Sequence, residues 1–181
     1  MIDLIVGPMF SLKTHKLLTI QTALESIKKK STILIKISNK ITYDSHFPLS
    51  SIKSRTGISH IGYIIPPGAL NEIIKILPER INAIFIDEAQ FLSNEDVKII
   101  NITSKKFVIS GLDKDYKKKT WEYIEKLNYT YKEICYARCE ICNKKASYSA
   151  RLSNSTKRED EDAKYISVCK KHWTLPKNVL D

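Results

Sequence analysis

The segment that most restricts the fold stands first in the chain. Ile2 to Val6 is apolar and rich in β-branched residues, and it runs straight into Gly7-Pro8-Met9-Phe10-Ser11-Leu12-Lys13-Thr14. From Lys13 to about Lys29, Leu17, Leu18, Ile20, Ala23, Leu24 and Ile27 then recur at helical spacing. A buried strand, a loop and a helix in that order is the frame in which backbone N–H groups and a helix N-terminus converge on a phosphate. Gly7, Lys13 and Thr14 fit the pattern G-x-x-x-x-G-K-[ST], in which the lysine reaches the terminal phosphates and the hydroxyl binds magnesium. Leu12 departs from it, because the pattern has glycine there. Taken alone, the broken pattern slightly favours an ordinary strand-to-helix turn with a solvated lysine.

Further along, apolar segments and helical periodicity alternate. Thr32 to Ile37, Ile81 to Ile86 and Phe107 to Ser110 read as buried strands, and Tyr63 to Ile65 as a short one before Pro66-Pro67-Gly68. Ala69 to Leu77, ended by Pro78, and Trp121 to Leu127 read as helices. Ser93 with Asp96 forms a loose capping box for a helix to about Ile102. Residues 38–60 read as polar and irregular. The alternation predicts an α/β fold: a doubly wound, mostly parallel sheet of the P-loop, RecA-like kind with helices on both faces. The strand Ile81 to Ile86 closes on Asp87-Glu88. An acid at a strand end is what such a fold uses for its Mg²⁺ site, with Asp87 beside Thr14 and Glu88 turned toward an acceptor alcohol. The plainer alternative is that both acids cap the following helix.

After about residue 134 the chain changes character, and the reading divides it into a nucleotide-binding domain, 1–134, and a small appended module, 135–181. The four cysteines all lie between positions 135 and 169. Clustered cysteines without a secretory signal point to metal more than to disulfides. Cys139-x2-Cys142 and Cys169-x2-His172 form the Cys₃His set of a closed, tetrahedral structural zinc site. Cys135 falls outside that spacing and is read as a small buried thiol.

The net charge of +10 raises the question of a nucleic-acid partner. The lysines are scattered in short clusters (Lys28 to Lys30, Lys105-Lys106, Lys117 to Lys119, Lys144-Lys145, Lys170-Lys171), which describes a solvated surface, so nucleic acid is disfavoured. With 43% hydrophobic and 28% charged residues, no long apolar run and an acid near the N-terminus, the chain is expected to be a cytoplasmic globular protein without membrane contact.

Taken together, these segments resemble one family, the zinc-containing thymidine kinases of type II, found in cells, bacteria and poxviruses. The resemblance runs from Leu4 to about Trp173 and is nearest to bacterial members. It rests on GPMFS-x-KT, Asp87 to Phe91 (DEAQF), Gly111-Leu112-Asp113 with Asp115-Tyr116, Ser54-Arg55-Thr56-Gly57, Cys139 to Leu152 (CEICNKKASYSARL) and Tyr165 to Trp173 (YISVCKKHW). It implies phosphoryl transfer from ATP to the 5′-hydroxyl of thymidine in nucleotide salvage, with a homotetramer or dimer as the assembly. Glu88 is then the general base. ATP is held by Gly7, Pro8, Met9, Phe10, Ser11, Leu12, Lys13, Thr14, Asp87, Glu88, Ala89 and Gln90, with Mg²⁺ at Thr14 and Asp87. Met9, Phe91, Leu112, Tyr116, Trp121, Ser149 and Tyr165 line the nucleoside pocket, and Tyr165 belongs to a lasso-like loop of a zinc-ribbon-like lid.

Three departures bear on activity. Leu12 is expected to strain the loop and to project its isobutyl group where phosphate oxygens meet N–H donors, or to open the loop. The arginine that such enzymes carry near the transferring phosphate is matched by Thr42, with Lys40 as a partial substitute. Lys157 to Asp162 (KREDED) stands in the lasso where relatives carry a glycine-containing run, and His15 and Lys16 replace a small residue and a glutamate. Two further readings therefore stay open: a kinase-derived protein that binds a nucleoside or nucleotide without turnover, and a basic zinc module that binds nucleic acid.

Overall fold

The computed structural model describes residues 1–41, 47, 49–153, 157–158 and 163–174. Seven strands make the main sheet: β1 (Ile2–Gly7), β2 (Thr32–Ile37), β3 (Leu49–Lys53), β4 (Ser59–Ile65), β5 (Ala83–Asp87), β6 (Lys106–Leu112) and β7 (Tyr131–Ile134), in the spatial order β3-β4-β2-β5-β6-β1-β7. All neighbours are parallel except β3 and β4, which form an antiparallel hairpin at one edge. The helices are α1 (Lys13–Ser26), α2 (Leu70–Ile76), α3 (Asn94–Ile102) and α4 (Glu122–Lys126).

The central strands are apolar on both faces because both are covered. On one face, Ile5, Leu34, Phe85 and Val108 pack against Leu17 and Leu18 of α1. On the other, Leu4, Val6, Ile35, Ile37, Ile84, Ile86, Phe107 and Ile109 pack against α2, α3 and α4 through residues such as Leu70, Ile73, Val97, Ile100 and Ile124. Successive residues serve opposite cores, as the two-residue period of a strand requires. This is the doubly wound arrangement that the alternation predicts.

The helix ends follow local chemistry. The α1 pattern stops before Lys29, which takes a left-handed φ of 50° while Lys30 N–H bonds Leu24 O at 3.0 Å. At α3 the capping box is complete: Ser93 Oγ accepts the Asp96 N–H at 3.1 Å and Asp96 Oδ2 accepts the Ser93 N–H at 2.9 Å. The same carboxylate, 1% exposed, accepts the Gly68 and Leu70 N–H groups and so ties the start of α2 to that of α3.

Residues 38–60 are not irregular throughout. They contain β3 and the start of β4. The hairpin escapes a pattern reading because its outer part is a polar edge: Leu49 and Ile61 are exposed, and from Leu49 to Lys53 and Ser59 to Gly62 only Ile52 and Gly62 are buried. Gly62 is needed there, since a Cβ would lie 2.4 Å from Leu34 O. The edge strand β7, which pairs with β1, is missed for a similar reason: three of its four residues are exposed. Beyond the sheet, two short hairpins follow, β8 (Ala137–Arg138) with β9 (Lys145–Ala146), and β10 (Tyr148–Arg151) with β11 (Tyr165–Val168).

Candidate active site

The loop between β1 and α1 lies at the C-terminal ends of the parallel strands, where open α/β sheets bind ligands. Gly7 permits a close approach that no other residue would allow, because a Cβ would sit 2.4 Å from Cys135 O. Ser11 Oγ donates to Pro8 O at 2.8 Å and Lys13 Nζ to the same carbonyl at 2.6 Å, so the loop curls around its own lysine. Burial pushes the Lys13 ammonium below its usual range, against the nearby charges of Glu88 and Asp87. Leu12 caps α1 with φ 61° and ψ 25°, the left-handed geometry that glycine would supply. The loop therefore does not open. The residue is 53% exposed and helps to line the pocket.

The acids at the end of β5, Asp87 and Glu88, lie across from the loop. Thr14 Oγ1 donates to Asp87 Oδ2 at 2.9 Å, and Ser110 Oγ at the end of β6 donates to Oδ1. Burial raises the Asp87 carboxyl, and the adjacent Glu88 charge adds to it, while the two hydroxyls pull the other way. Glu88 takes a left-handed φ of 59° before a single 3₁₀ turn, Ala89–Phe91. Its Oε2 accepts from Gln90 Nε2 at 2.5 Å, and Gln90 Oε1 accepts the Leu112 N–H at 3.1 Å. Neither acid caps α3, whose cap is Ser93. Gly111, beside this turn, cannot carry a side chain, since a Cβ would meet Tyr123 Oη at 2.7 Å and Ala89 Cβ at 3.0 Å.

A pocket of about 410 Å³ opens between these elements. Met9, Phe91, Leu112, Tyr116, Trp121, Ser149 and Tyr165 all line it, together with Phe10 to Thr14, Asp87, Glu88 and Gln90. Gly7, Pro8 and Ala89 are not among its lining residues; Ala89 lies fully buried behind it. The second pair of hairpins closes one side: Ser149 Oγ accepts the Met9 N–H at 2.9 Å, and Trp173 Nε1 donates to Tyr116 O at 3.1 Å. Trp121 is 5% exposed and its indole Nε1 has no partner among the described residues.

Cys139 and Cys142, between β8 and β9, converge with Cys169 and His172, which follow β11, and the four donor atoms all lie within 4.8 Å of one another. Cys142 Sγ lies 3.8 Å from Cys169 Sγ, and His172 Nδ1 lies 3.5 Å from Cys139 Sγ and 3.4 Å from Cys169 Sγ. Ligands about 2.3 Å from a tetrahedral ion stand close to 4 Å apart, so the group could hold a metal ion. Cys135 stands apart. It is only half-buried, and its N–H extends the β1–β7 ladder to Val6 O at 2.7 Å. Phe10 of the loop packs against the metal hairpins, so the two features share one wall.

A profile of the thymidine kinase family matches residues 1–173. The chain belongs to that family. It is 28% identical over 180 residues to a thymidine kinase of Pseudothermotoga lettingae, covering 93% of this chain and 92% of that one. A Metamycoplasma arthritidis thymidine kinase is 31% identical over 83% of this chain and 77% of its own, and one from Ureaplasma parvum is 31% identical over 97% and 83%. Among the described residues, no helix is long and apolar enough to cross a membrane.

For a member of the thymidine kinase family, the pocket holds cations that the motif reading passes over. Arg55, in the turn between β3 and β4, lies 4.1 Å from the Phe10 ring centroid, and Lys53 lines the pocket beside it. The turn is docked on the loop by the contact of His15 Nδ1 with Thr56 Oγ1 at 2.6 Å, which gives the unusual His15 a structural task. Lys16 pairs with Glu133. Lys40 is not among the pocket's lining residues, and Thr42 and the acids Glu159 to Asp162 lie outside the described residues. Arg158 and Asp115 line the pocket too. The signal for Arg55 and Asp115 was their place inside quoted motifs; Arg158 sits in a charged run that gives none.

Proposed function

We propose that this protein transfers the γ-phosphate of ATP to the 5′-hydroxyl of thymidine, in the cytoplasm and as part of nucleotide salvage. One observation carries the reading: a phosphate loop, an acid pair and seven nucleoside-side residues separated in sequence all face a single pocket. The phosphates lie on Met9 to Thr14, with the Lys13 ammonium released from Pro8 O to the transferring group. Thr14 and Asp87, already in contact, suit Mg²⁺, which neutralises charge on the phosphates when bound. Glu88, oriented by Gln90, takes the proton from the attacking hydroxyl. The nucleoside lies among Met9, Phe91, Leu112, Tyr116, Trp121, Ser149 and Tyr165, where the Trp121 indole N–H, without a partner among the described residues, is free to meet an acceptor.

Cys139, Cys142, Cys169 and His172 fit zinc in a structural role, since all four positions are filled by protein donors. Residues 1–134 act as the nucleotide-binding domain and 135–181 as the lid. A homo-oligomer, dimer or tetramer, is the proposed assembly.

Glu88→Gln separates binding from chemistry. The expected outcome is a fall in kcat of at least about 100-fold, with ATP and thymidine affinities within roughly threefold of the native values. Equal turnover by both proteins would remove Glu88 as the base.

A further inference from the structure

Arg158 is the residue of the charged run whose contacts are most fully defined. Its Nε donates to Asp115 Oδ2 at 2.9 Å and its Nη2 to Thr120 O at 2.9 Å. The guanidinium lies 4.2 Å from the Trp121 ring centroid, on the residue that forms one wall of the pocket. Its partner is a nearly inaccessible carboxylate, with the Asp115 side chain 3% exposed against 30% for Arg158. Asp115 is itself fixed, because its Oδ1 accepts the Lys117 and Lys119 N–H groups at 2.9 Å each. Glu122, at 3.7 Å from Arg158 Nη1, adds a weaker, exposed charge.

The segment carrying Arg158 is tied down from the other side by Arg151. That guanidinium donates to Lys157 O at 2.5 Å and to Arg158 O at 3.2 Å, and it also donates to Tyr165 Oη. It stacks 3.8 Å from the Tyr116 ring centroid. Two arginines thus each cover one aromatic wall, Arg151 on Tyr116 and Arg158 on Trp121, and both are joined through residues 157–158.

We propose that Arg158 is a positioning residue for nucleoside recognition, one that fixes Trp121 through its bond to the buried Asp115. A planar guanidinium can lie flat on the indole while its edge serves the carboxylate and the Thr120 carbonyl together. Without it Asp115 keeps only backbone donors, and the indole, whose N–H is otherwise unpartnered, loses the plate that sets its angle. The proposal rests on the nucleoside pocket described under the proposed function. The side-chain contacts of Arg158 are to Asp115, Thr120, Trp121 and Glu122, none of which belongs to the phosphate loop or is Glu88, so its effect is expected on thymidine and not on ATP.

The test pairs kinetics with a signal that needs no turnover. Arg158→Ala is expected to raise KM for thymidine about tenfold, leaving kcat and KM for ATP within about twofold. Asp115→Asn, which keeps the acceptor for Lys117 and Lys119, should match it, and the double variant should be no worse than either single one. Arg158→Lys should fall between, because a compact ammonium cannot hold the stack and both acceptors at once. In a Trp173→Phe background Trp121 is the remaining tryptophan, and acrylamide quenching of it should rise in Arg158→Ala and fall on adding thymidine to the native pocket. Unchanged KM for thymidine together with unchanged quenching would overturn the proposal. If the native chain does not phosphorylate thymidine, the proposed function fails by itself, and quenching with and without thymidine still decides on Arg158.

Discussion

At Leu12 two requirements meet: a left-handed backbone and a side chain beside a phosphate site. The first is met at a cost of about 1–2 kcal/mol relative to glycine, small against the roughly 5–15 kcal/mol of a folded domain. The second is met by freedom to move, since the residue is half-exposed and packing does not hold its isobutyl group in one place. Leu12→Gly should therefore change kcat by less than about threefold. It should stabilise the fold by no more than about 1 kcal/mol, because glycine's freedom in the unfolded chain offsets part of the gain. Steady-state kinetics and urea unfolding check both. Gly7 is the opposite case: its missing side chain leaves room for Cys135 O, and no rotamer can relieve a Cβ at 2.4 Å. The strain at residue 12 was legible in the sequence, for the pattern names the glycine it replaces. Where the isobutyl group goes was not, because that depends on the loop's tilt against β6 and α1.

Among the elements, those with strong periodicity or named end chemistry were the readable ones. Ser93 and Asp96 marked the start of α3 correctly, and the structure adds a second duty to Asp96 that spacing cannot express, the capture of the Gly68 and Leu70 N–H groups. Asp96→Ala should cost roughly 3 kcal/mol in urea unfolding, more than a helix cap alone, since several buried donors lose their acceptor. The edge hairpin of β3 and β4, and β7, stayed hidden because half-exposed edges carry polar residues at inward and outward positions alike. The Cys/His cluster is the reverse case: its four donors were legible from two short cysteine and histidine pairs, although the hairpins that carry them were not. Their cores are slight, resting on Ala137, Ala146, Ala150 and Val168. Removing the metal with a strong chelator should abolish thymidine binding while the far-UV circular dichroism of the main sheet is largely kept. The preparation as isolated should contain zinc stoichiometric with the chain.

At the scale of the molecule, the sheet's function is to bring distant segments to one end. The loop after β1, the acids at the end of β5, the turn after β6 and the hairpins beyond β7 meet around one pocket, with the β3–β4 turn placed over the loop. Motifs located the first four in sequence. Arg55 and Asp115 stood inside those motifs without being read as pocket residues, and Arg158 had no signal at all, since charge in a lysine-rich chain carries little contrast. A formed phosphate loop should respond to nucleotide before any chemistry occurs. Mg·ADP at about 100 times its Kd should add about 2.7 kcal/mol and raise the melting temperature by roughly 5–10 °C.

The central claim is that a leucine-bearing loop and the Asp87-Glu88 pair form a working kinase site, and phosphoryl transfer tests it most directly. The unaltered, zinc-loaded chain is incubated with γ-labelled ATP, Mg²⁺ and thymidine, and the label is followed into thymidine 5′-monophosphate. Steady turnover to that product, lost in Glu88→Gln, is expected. Absence of labelled product from a folded chain that binds both ATP and thymidine would contradict it.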